Sequence, residues 1–181
     1  MTAPAYTTAT EHRTLESFLA AVELRAFRYA EVALRQREDA LDVVQETMER
    51  MLPYRQHPPH EWTPLFWSIL RRRVIDVQRR RRFRLRFWAP APFDNDAAPP
   101  DWADPDGLDP EADLSLQQGY ARLQLALRQL PERQCEAFCL RVLQELDGAT
   151  TAHVMGCSEG AVKTHLSRAR HSLSQLLEDL R

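Results

Sequence analysis

The sequence predicts an all-α protein made of two small helical domains, residues 10–88 and 116–181, joined by a flexible acidic linker over residues 89–115. Three observations lead there. Apolar residues recur at three- and four-residue steps over most of the chain, the period of a helix buried on one side. Glycine is scarce, at 5 residues in 181, while the helix formers Leu, Ala, Arg, Glu and Gln dominate. Charge is also segregated. Residues 1–88 carry 16 arginines against 11 acids, residues 89–115 carry eight acids and no base, and residues 116–181 are nearly balanced. The formal charge of −2 therefore hides a basic part and an acidic connector.

Each element can be read in turn. Leu15, Phe18, Leu19, Val22, Ala26, Tyr29 and Ala33 describe a first amphipathic helix. A second starts near Glu38, with Leu41, Val44, Met48, Met51 and Leu52 on its apolar side, and Pro53 and Pro58-Pro59 break the chain after it. Thr63-Pro64 reads as the start of a third helix, with Thr as N-cap and Pro in the first turn. Phe66, Ile69, Leu70, Val74 and Val77 form its buried stripe, and arginines coat the other face. From Ala89 to Ser115, six prolines and eight acids without periodicity mark the linker.

Helical spacing restarts at Leu116, Tyr120, Leu123, Leu127 and Leu130, and Leu130-Pro131-Glu132-Arg133 punctuates it. Phe138, Cys139, Val142, Leu143 and Leu146 predict the next helix, with Asp147-Gly148 as its exit. A short helix near Thr150 to Met155, a tight turn at Gly156-Cys157-Ser158 and a long helix from Glu159, capped by Ser158, complete the chain.

Several function classes fall away. No Gly-rich phosphate loop or nucleophile–base set is present, so the chain is not expected to be an enzyme. Cys135, Cys139 and Cys157 are too few and too poorly spaced for a disulfide framework or a zinc site, and no metal or cofactor is expected. No apolar run reaches the ~18–20 residues of a membrane span. Met1 to Thr10 lacks the basic start and apolar stretch of a signal peptide, so a cytoplasmic protein is expected.

Two constellations point to nucleic acid. The first is the short helix, glycine turn and longer helix of the C-terminal domain, which is helix-turn-helix grammar. Val162, Leu166, Ala169 and Leu173 face inward there, leaving Gly160, Lys163, Thr164, Ser167 and Arg168 on the outer face, where a recognition helix meets base edges. The second is the run Arg71 to Arg86, with nine arginines in sixteen residues and Trp62, Phe66, Trp67, Phe83, Phe87 and Trp88 nearby. Arginine binds phosphate bidentately, and exposed aromatics stack on unpaired bases. Trp62 and Trp67 stand evenly between base stacking and core packing, whereas Phe66 lies on the buried stripe. These patterns alone leave open a stand-alone helix-turn-helix regulator and an Arg-rich RNA-binding protein.

A resemblance narrows the choice. Asp39-Ala-Leu-Asp-Val-Val-Gln-Glu-Thr-Met-Glu-Arg-Met51 resembles a signature of RNA polymerase sigma factors of the extracytoplasmic-function (ECF) class. Leu65 to Arg82, with Ile75-Asp76-Val77-Gln78-Arg79-Arg80-Arg81, resembles the next block of that family. Leu130-Pro-Glu-Arg-Gln134 and Ser158-Glu-Gly-Ala-Val-Lys-Thr-His-Leu-Ser-Arg-Ala-Arg170 resemble its C-terminal blocks. The resemblance implies a specificity subunit that directs core polymerase to promoters. It implies that Asp39, Asp42, Gln45, Glu46 and Glu49 dock on the beta-prime clamp helices, and it adds the beta flap as a second polymerase contact. It places Trp62, Trp67, Arg71, Arg72, Arg79 and Arg80 at the −10 element, with the loop His57–Trp62 capturing a flipped base. Ser158, Gly160, Lys163, Thr164, His165, Ser167 and Arg168 would read the −35 element. It also implies an anti-sigma partner. The sequence departs from the family at Arg72, where Asn is usual, and at Leu65, where Trp is usual. Gly148 and Thr151 replace Tyr and Ile, and His165 stands where Arg is frequent.

Overall fold

The computed structural model describes residues 14–87 and 110–179. Seven α-helices order these residues: α1 (Leu15–Leu34), α2 (Arg37–Met51), α3 (Pro59–Phe87), α4 (Pro110–Gln129), α5 (Glu132–Phe138), α6 (Gly148–Met155) and α7 (Glu159–Asp179). A 3₁₀ turn, Leu52–Tyr54, follows α2, and α5 runs into a π-helical turn, Cys139–Leu143. Among the described residues there is no strand.

Local chemistry sets the ends of α1. Thr14 caps it by accepting from the Ser17 N–H at 3.3 Å. Arg35 ends it in the left-handed region, φ 60°, with its N–H on the Glu31 carbonyl. The stripe foreseen for α1 is buried at Leu15, Phe18, Val22, Ala26 and Tyr29, with Leu19 and Ala33 half-buried.

The second helix is phased differently from the reading above. Leu41 and Leu52 are exposed, and Ala40, Val43, Val44, Thr47 and Met51 turn inward. Thr47 is fully buried because its hydroxyl donates to the Val43 carbonyl at 2.7 Å, which satisfies its polar atom within the helix. The larger Leu41 attracts a hydropathy reading, but its place on the helical wheel puts it outside.

The third helix also starts earlier than foreseen. Pro59, not Thr63-Pro64, opens α3, and Pro64 lies inside it. Proline suits a first helical position, where the missing N–H has no helical partner. Ser68 donates to the Pro64 carbonyl at 2.7 Å, one turn on. Residues 110–115, read as linker, are the opening turns of α4. Pro110 takes the first position. The rest of the linker assignment, residues 89–109, lies outside the described residues. Finally, Asp147-Gly148 is the start of α6 and not an exit, because Asp147 accepts from the Thr150 N–H at 2.7 Å.

Helices α1, α2 and α3 close one core around aromatics in tilted and edge-to-face contact. Phe18 meets Trp62 and Phe66 at centroid distances of 5.9 and 5.8 Å, and Tyr29 meets Trp67 edge-on at 5.6 Å. Burial raises the Tyr29 hydroxyl well above its ordinary pKa, and the Glu136 charge adds to this. Leu127, Ala137, Leu140, Met155, Val162, Ala169 and Leu173 fill the space between α4, α5, α6 and α7.

The two helical groups meet along a polar seam. Arg25 of α1 donates to the Gln144 side chain at 2.9 Å and to its carbonyl at 2.6 Å. Gln124 of α4 donates to Glu31 of α1 at 3.0 Å, and both are buried. Arg28 lies over the Tyr120 ring at 4.9 Å. Arg71 and Arg82 of α3 pair with Glu136 and Glu132 of α5. The Arg71–Glu136 pair is the more enclosed, with side chains 17% and 13% exposed. Replacing Glu136 with Arg sets two guanidinium groups against each other there. The expected outcome is a larger radius of gyration by small-angle X-ray scattering with helix content unchanged, and a return towards the wild-type value when Arg71→Glu is added.

Candidate nucleic-acid interface

The turn between α6 and α7 is built from three local devices. Asp147 caps α6 through the Thr150 N–H and hydroxyl. Gly156 takes φ 62°, a left-handed conformation that costs glycine little and other residues more. Its N–H bonds back to the His153 carbonyl at 3.2 Å, and Cys157 bonds to Ala152 at 3.0 Å. Ser158 then accepts from the Ala161 N–H at 3.2 Å and starts α7. Thr151, where an apolar residue would be usual, is fully buried, with its hydroxyl on the Asp147 carbonyl at 2.7 Å.

This geometry turns one face of α7 to solvent. Ser158, Gly160, Lys163, Thr164, Ser167 and Arg168 are exposed along its first three turns. Val162, Ala169 and Leu173 are buried on the opposite face, and Leu166 is half-buried. His165 is half-buried as well, at the margin of the exposed face. The Thr164 hydroxyl donates to the Gly160 carbonyl at 2.9 Å, which holds its rotamer while both lone pairs of its oxygen stay able to accept. Such a face offers donors, acceptors and two cations at the width of a major groove.

The arginine run divides by helical phase. Arg73 faces α2 and pairs with Glu46, and with Asp76 at 3.4 Å. Arg81 pairs with Asp39 and donates to the Leu34 carbonyl and to Gln36, tying α3 across the α1–α2 junction. Arg71 and Arg82 belong to the seam. Arg72, Arg79, Arg80 and Arg84 are exposed, and none pairs with a carboxylate among the described residues. Of the four arginines assigned to DNA from the sequence, Arg72, Arg79 and Arg80 stand free and Arg71 does not. Arg84 shares their exposed surface; it lay in the noted run without being singled out, and its i+4 spacing from Arg80 is the signal that finds it.

Trp62 and Trp67 need correction as base-stacking residues. They are 2% and 1% exposed, inside the aromatic core. The Trp62 indole N–H donates to the Tyr54 carbonyl at 3.0 Å, so even its polar edge is used internally. With α3 starting at Pro59, Trp62 is a helical residue and not a loop one. Within the expected capture loop, His57, Pro58, Pro59, His60 and Glu61 remain exposed, and His57 pairs with Glu61 at 3.0 Å.

The acidic face of α2 is divided too. Asp42, Gln45 and Glu49 are exposed, with Gln45 and Glu49 in contact at 3.4 Å. Asp39 and Glu46 are partly covered by Arg81 and Arg73. Burial alone would raise the Glu46 carboxyl, but hydrogen bonds from Arg73 and Arg50 outweigh it and hold the group below its ordinary value. Exposed Leu41 lies beside Asp42 on the same outer side. Among the described residues, no group of three or more His, Cys, Asp or Glu gathers to hold a metal ion, and no helix is long and apolar enough to cross a membrane.

Comparison with known proteins agrees with this arrangement. Residues 120–173 match the family described as Sigma-70, region 4. The ECF RNA polymerase sigma factor BldN of Streptomyces coelicolor is 44% identical over 70 residues, which is 39% of this chain and 26% of that protein. The chain thus matches about a quarter of the length of that curated relative. In fold, the sigma factor RpoE of Bartonella quintana, solved with the anti-sigma factor NepR, superposes with a TM-score of 0.67. The match covers 92% of this chain and 99% of that one at 22% identity. CnrH, solved with the cytosolic domain of CnrY, gives a TM-score of 0.61 at 20% identity, over 91% and 88% of the two chains. By sequence the chain is similar to sigma factors over part of its length, and by fold it resembles the two solved structures over most of it.

The α6 cap carries a pH-dependent prediction. Hydrogen bonding from the Thr150 N–H outweighs burial and lowers the Asp147 pKa below its ordinary value. A lowered folded-state pKa contributes stability that is present above the unfolded value, about 3.9, and is lost as pH falls through the folded one. Asp147→Ala is therefore expected to cost about 1 kcal/mol at pH 7. The deficit should shrink once the wild-type cap is itself protonated below the carboxylate range. Chemical denaturation of both proteins across that interval measures it.

Proposed function

We propose that the chain is an ECF-type sigma factor, a specificity subunit that binds core RNA polymerase and directs it to promoters without a catalytic site of its own. The observation that carries this is the Sigma-70 region 4 match over residues 120–173, on a helix-turn-helix whose recognition face is exposed. In this reading Ser158, Gly160, Lys163, Thr164, Ser167 and Arg168 meet the −35 duplex, with His165 at the edge of the contact. Arg72, Arg79 and Arg80 hold the −10 region, and the exposed segment from His57 to Glu61 lies where a flipped base would enter.

On α2 the exposed trio Asp42, Gln45 and Glu49, with Leu41 beside it, is the docking surface for the beta-prime clamp helices. Asp39 and Glu46 support that surface from within through Arg81 and Arg73. The C-terminal domain would engage the beta flap. Residues 10–88 and 116–181 then act as two modules, with residues 110–115 extending the second. A cytoplasmic location follows from the function, since polymerase and promoter are there. RpoE was solved with the anti-sigma factor NepR, and an anti-sigma protein is proposed for this chain as well.

Run-off transcription with core polymerase and a promoter template tests the reading, and DNA binding without any transcript would sink it. Asp42→Arg with Glu49→Arg should weaken polymerase association at least tenfold, measured by titration against core enzyme, with unchanged circular dichroism. Lys163→Ala and Arg168→Ala should each weaken −35 duplex binding by about 1–3 kcal/mol if they make base contacts. An unchanged footprint over the −35 element would show that α7 is docked by another face.

A further inference from the structure

Two cysteines outside the surfaces described so far are neighbours. Cys135 of α5 and Cys139, where the π-helical turn begins, bring their sulfurs to 3.9 Å. Both are free thiols, Cys135 half-buried and Cys139 buried. The hydrogen bond to Cys135, and then burial, raise the Cys139 pKa. Cys139 therefore keeps its proton as the donor of that bond, and the Cys135 sulfur is the acceptor. The pair lies at the seam. Glu136, between the two cysteines, pairs with Arg71, and Gln144, where the π turn ends, accepts both hydrogen bonds from Arg25. Glu136, Arg71 and both thiols all act on the buried Tyr29 hydroxyl of α1.

We propose that Cys135 and Cys139 are a reversible thiol–disulfide site oxidised by hydrogen peroxide, and that the disulfide loosens the seam between the two helical groups. Cys135, the more accessible thiol, meets the oxidant. Its thiolate attacks one peroxide oxygen and the O–O bond breaks, which leaves a sulfenic acid and a hydroxide that takes up the proton Cys135 has lost. Cys139 then attacks that sulfur. The S–S bond forms, the S–O bond breaks, and the Cys139 proton leaves with the hydroxyl as water. In sum, two thiols and one hydrogen peroxide give one disulfide and two waters, the sulfurs losing the two electrons that the peroxide gains. The product is neutral, so the burial that disfavours an ionised Cys139 does not oppose it. A soft metal ion, in contrast, needs both sulfurs ionised.

Forming the bond moves the backbone. Cβ atoms four residues apart on an α-helix are about 5–6 Å apart, and a disulfide holds them at about 3.5–4.5 Å. The chain must tighten between the two cysteines, and the π-helical turn that starts at Cys139 is where the winding can change. Seam contacts lie on that stretch. Glu136 turns with it relative to Arg71, and Gln144 shifts relative to Arg25. The Arg71–Glu136 pair is enclosed, so misalignment leaves two charges short of both partner and water. Separation of the helical groups hydrates both.

The full chain carrying Cys157→Ser isolates the pair for the test. The tryptic peptide Gln134–Arg141 holds both cysteines. After hydrogen peroxide it should lose the mass of two hydrogens, both thiols should escape maleimide labelling together, and dithiothreitol should restore both. Oxidation should also raise the radius of gyration towards that of Glu136→Arg and speed hydrogen exchange over residues 139–144. Oxidising the Glu136→Arg variant should add no further expansion. Cys139→Ala should stop the reaction at a Cys135 sulfenic acid, trapped by dimedone. Where that core substitution unfolds the chain, Cys135→Ser carries the comparison and should abolish both the disulfide and the expansion. Two thiols still free after peroxide would overturn the site. A disulfide that forms without change in radius or exchange would overturn its coupling to the seam. Neither polymerase nor DNA enters these measurements, so their outcome is independent of the run-off assay.

Discussion

The burial of one stripe of α3 governs the rest of the N-terminal domain. Trp62, Phe66, Trp67, Leu70 and Val74 are all nearly inaccessible, and their contacts with Phe18 and Tyr29 fix the rotation of the helix about its own axis. A phase set by large aromatics is costly to change, since removing one such side chain from a core costs roughly 3–5 kcal/mol. Once the phase is set, each described arginine of α3 has a direction. Those pointing at α2 become braces, those pointing at α5 join the seam, and those pointing outward stay exposed.

The C-terminal domain depends on shorter-range devices. Its middle helices α5 and α6 are brief, and the α6–α7 turn rests on an Asp cap, one left-handed glycine and a Ser cap. The π-helical turn at Cys139–Leu143 sits where this domain meets the N-terminal one, and Gln144 at its end receives both hydrogen bonds from Arg25. Cys135 and Cys139 lie 3.9 Å apart in the same stretch. The hydrogen bond between them and the burial of Cys139 raise the Cys139 thiol well above its ordinary pKa, which keeps it a packing group.

Much of this was legible in the chain. The helical class and the helix-turn-helix followed from period and from turn residues, because both are local properties. The inward faces of α1 and α7 were read correctly, since their apolar residues are large and regularly spaced. Errors arose where two signals competed. Leu41 is apolar yet exposed, and Thr47 is polar yet buried, because a hydroxyl can satisfy itself on its own helix. Pro64 resembled a helix start, but Pro59 supplies the same signal five residues earlier. The fate of each arginine was not legible, since Glu46, Asp39, Glu132 and Glu136 come close to it only after the chain has folded. Trp62 and Trp67 could not be placed from sequence for a related reason: an aromatic beside arginines looks alike in a core and on a surface until the helix phase is known.

The basic residues of this protein have a further chemical consequence. Of 24 lysines and arginines, only Lys163 is a lysine, and it is exposed on the outward face of α7. Guanidinium groups resist acylation at neutral pH, whereas an ε-amine is a nucleophile once deprotonated. Amine-selective reagents therefore have a single side-chain target in this sequence, on α7, the helix proposed to read DNA. Acetylation there would remove one positive charge from that surface and leave every arginine, and so the whole N-terminal basic face, unaltered.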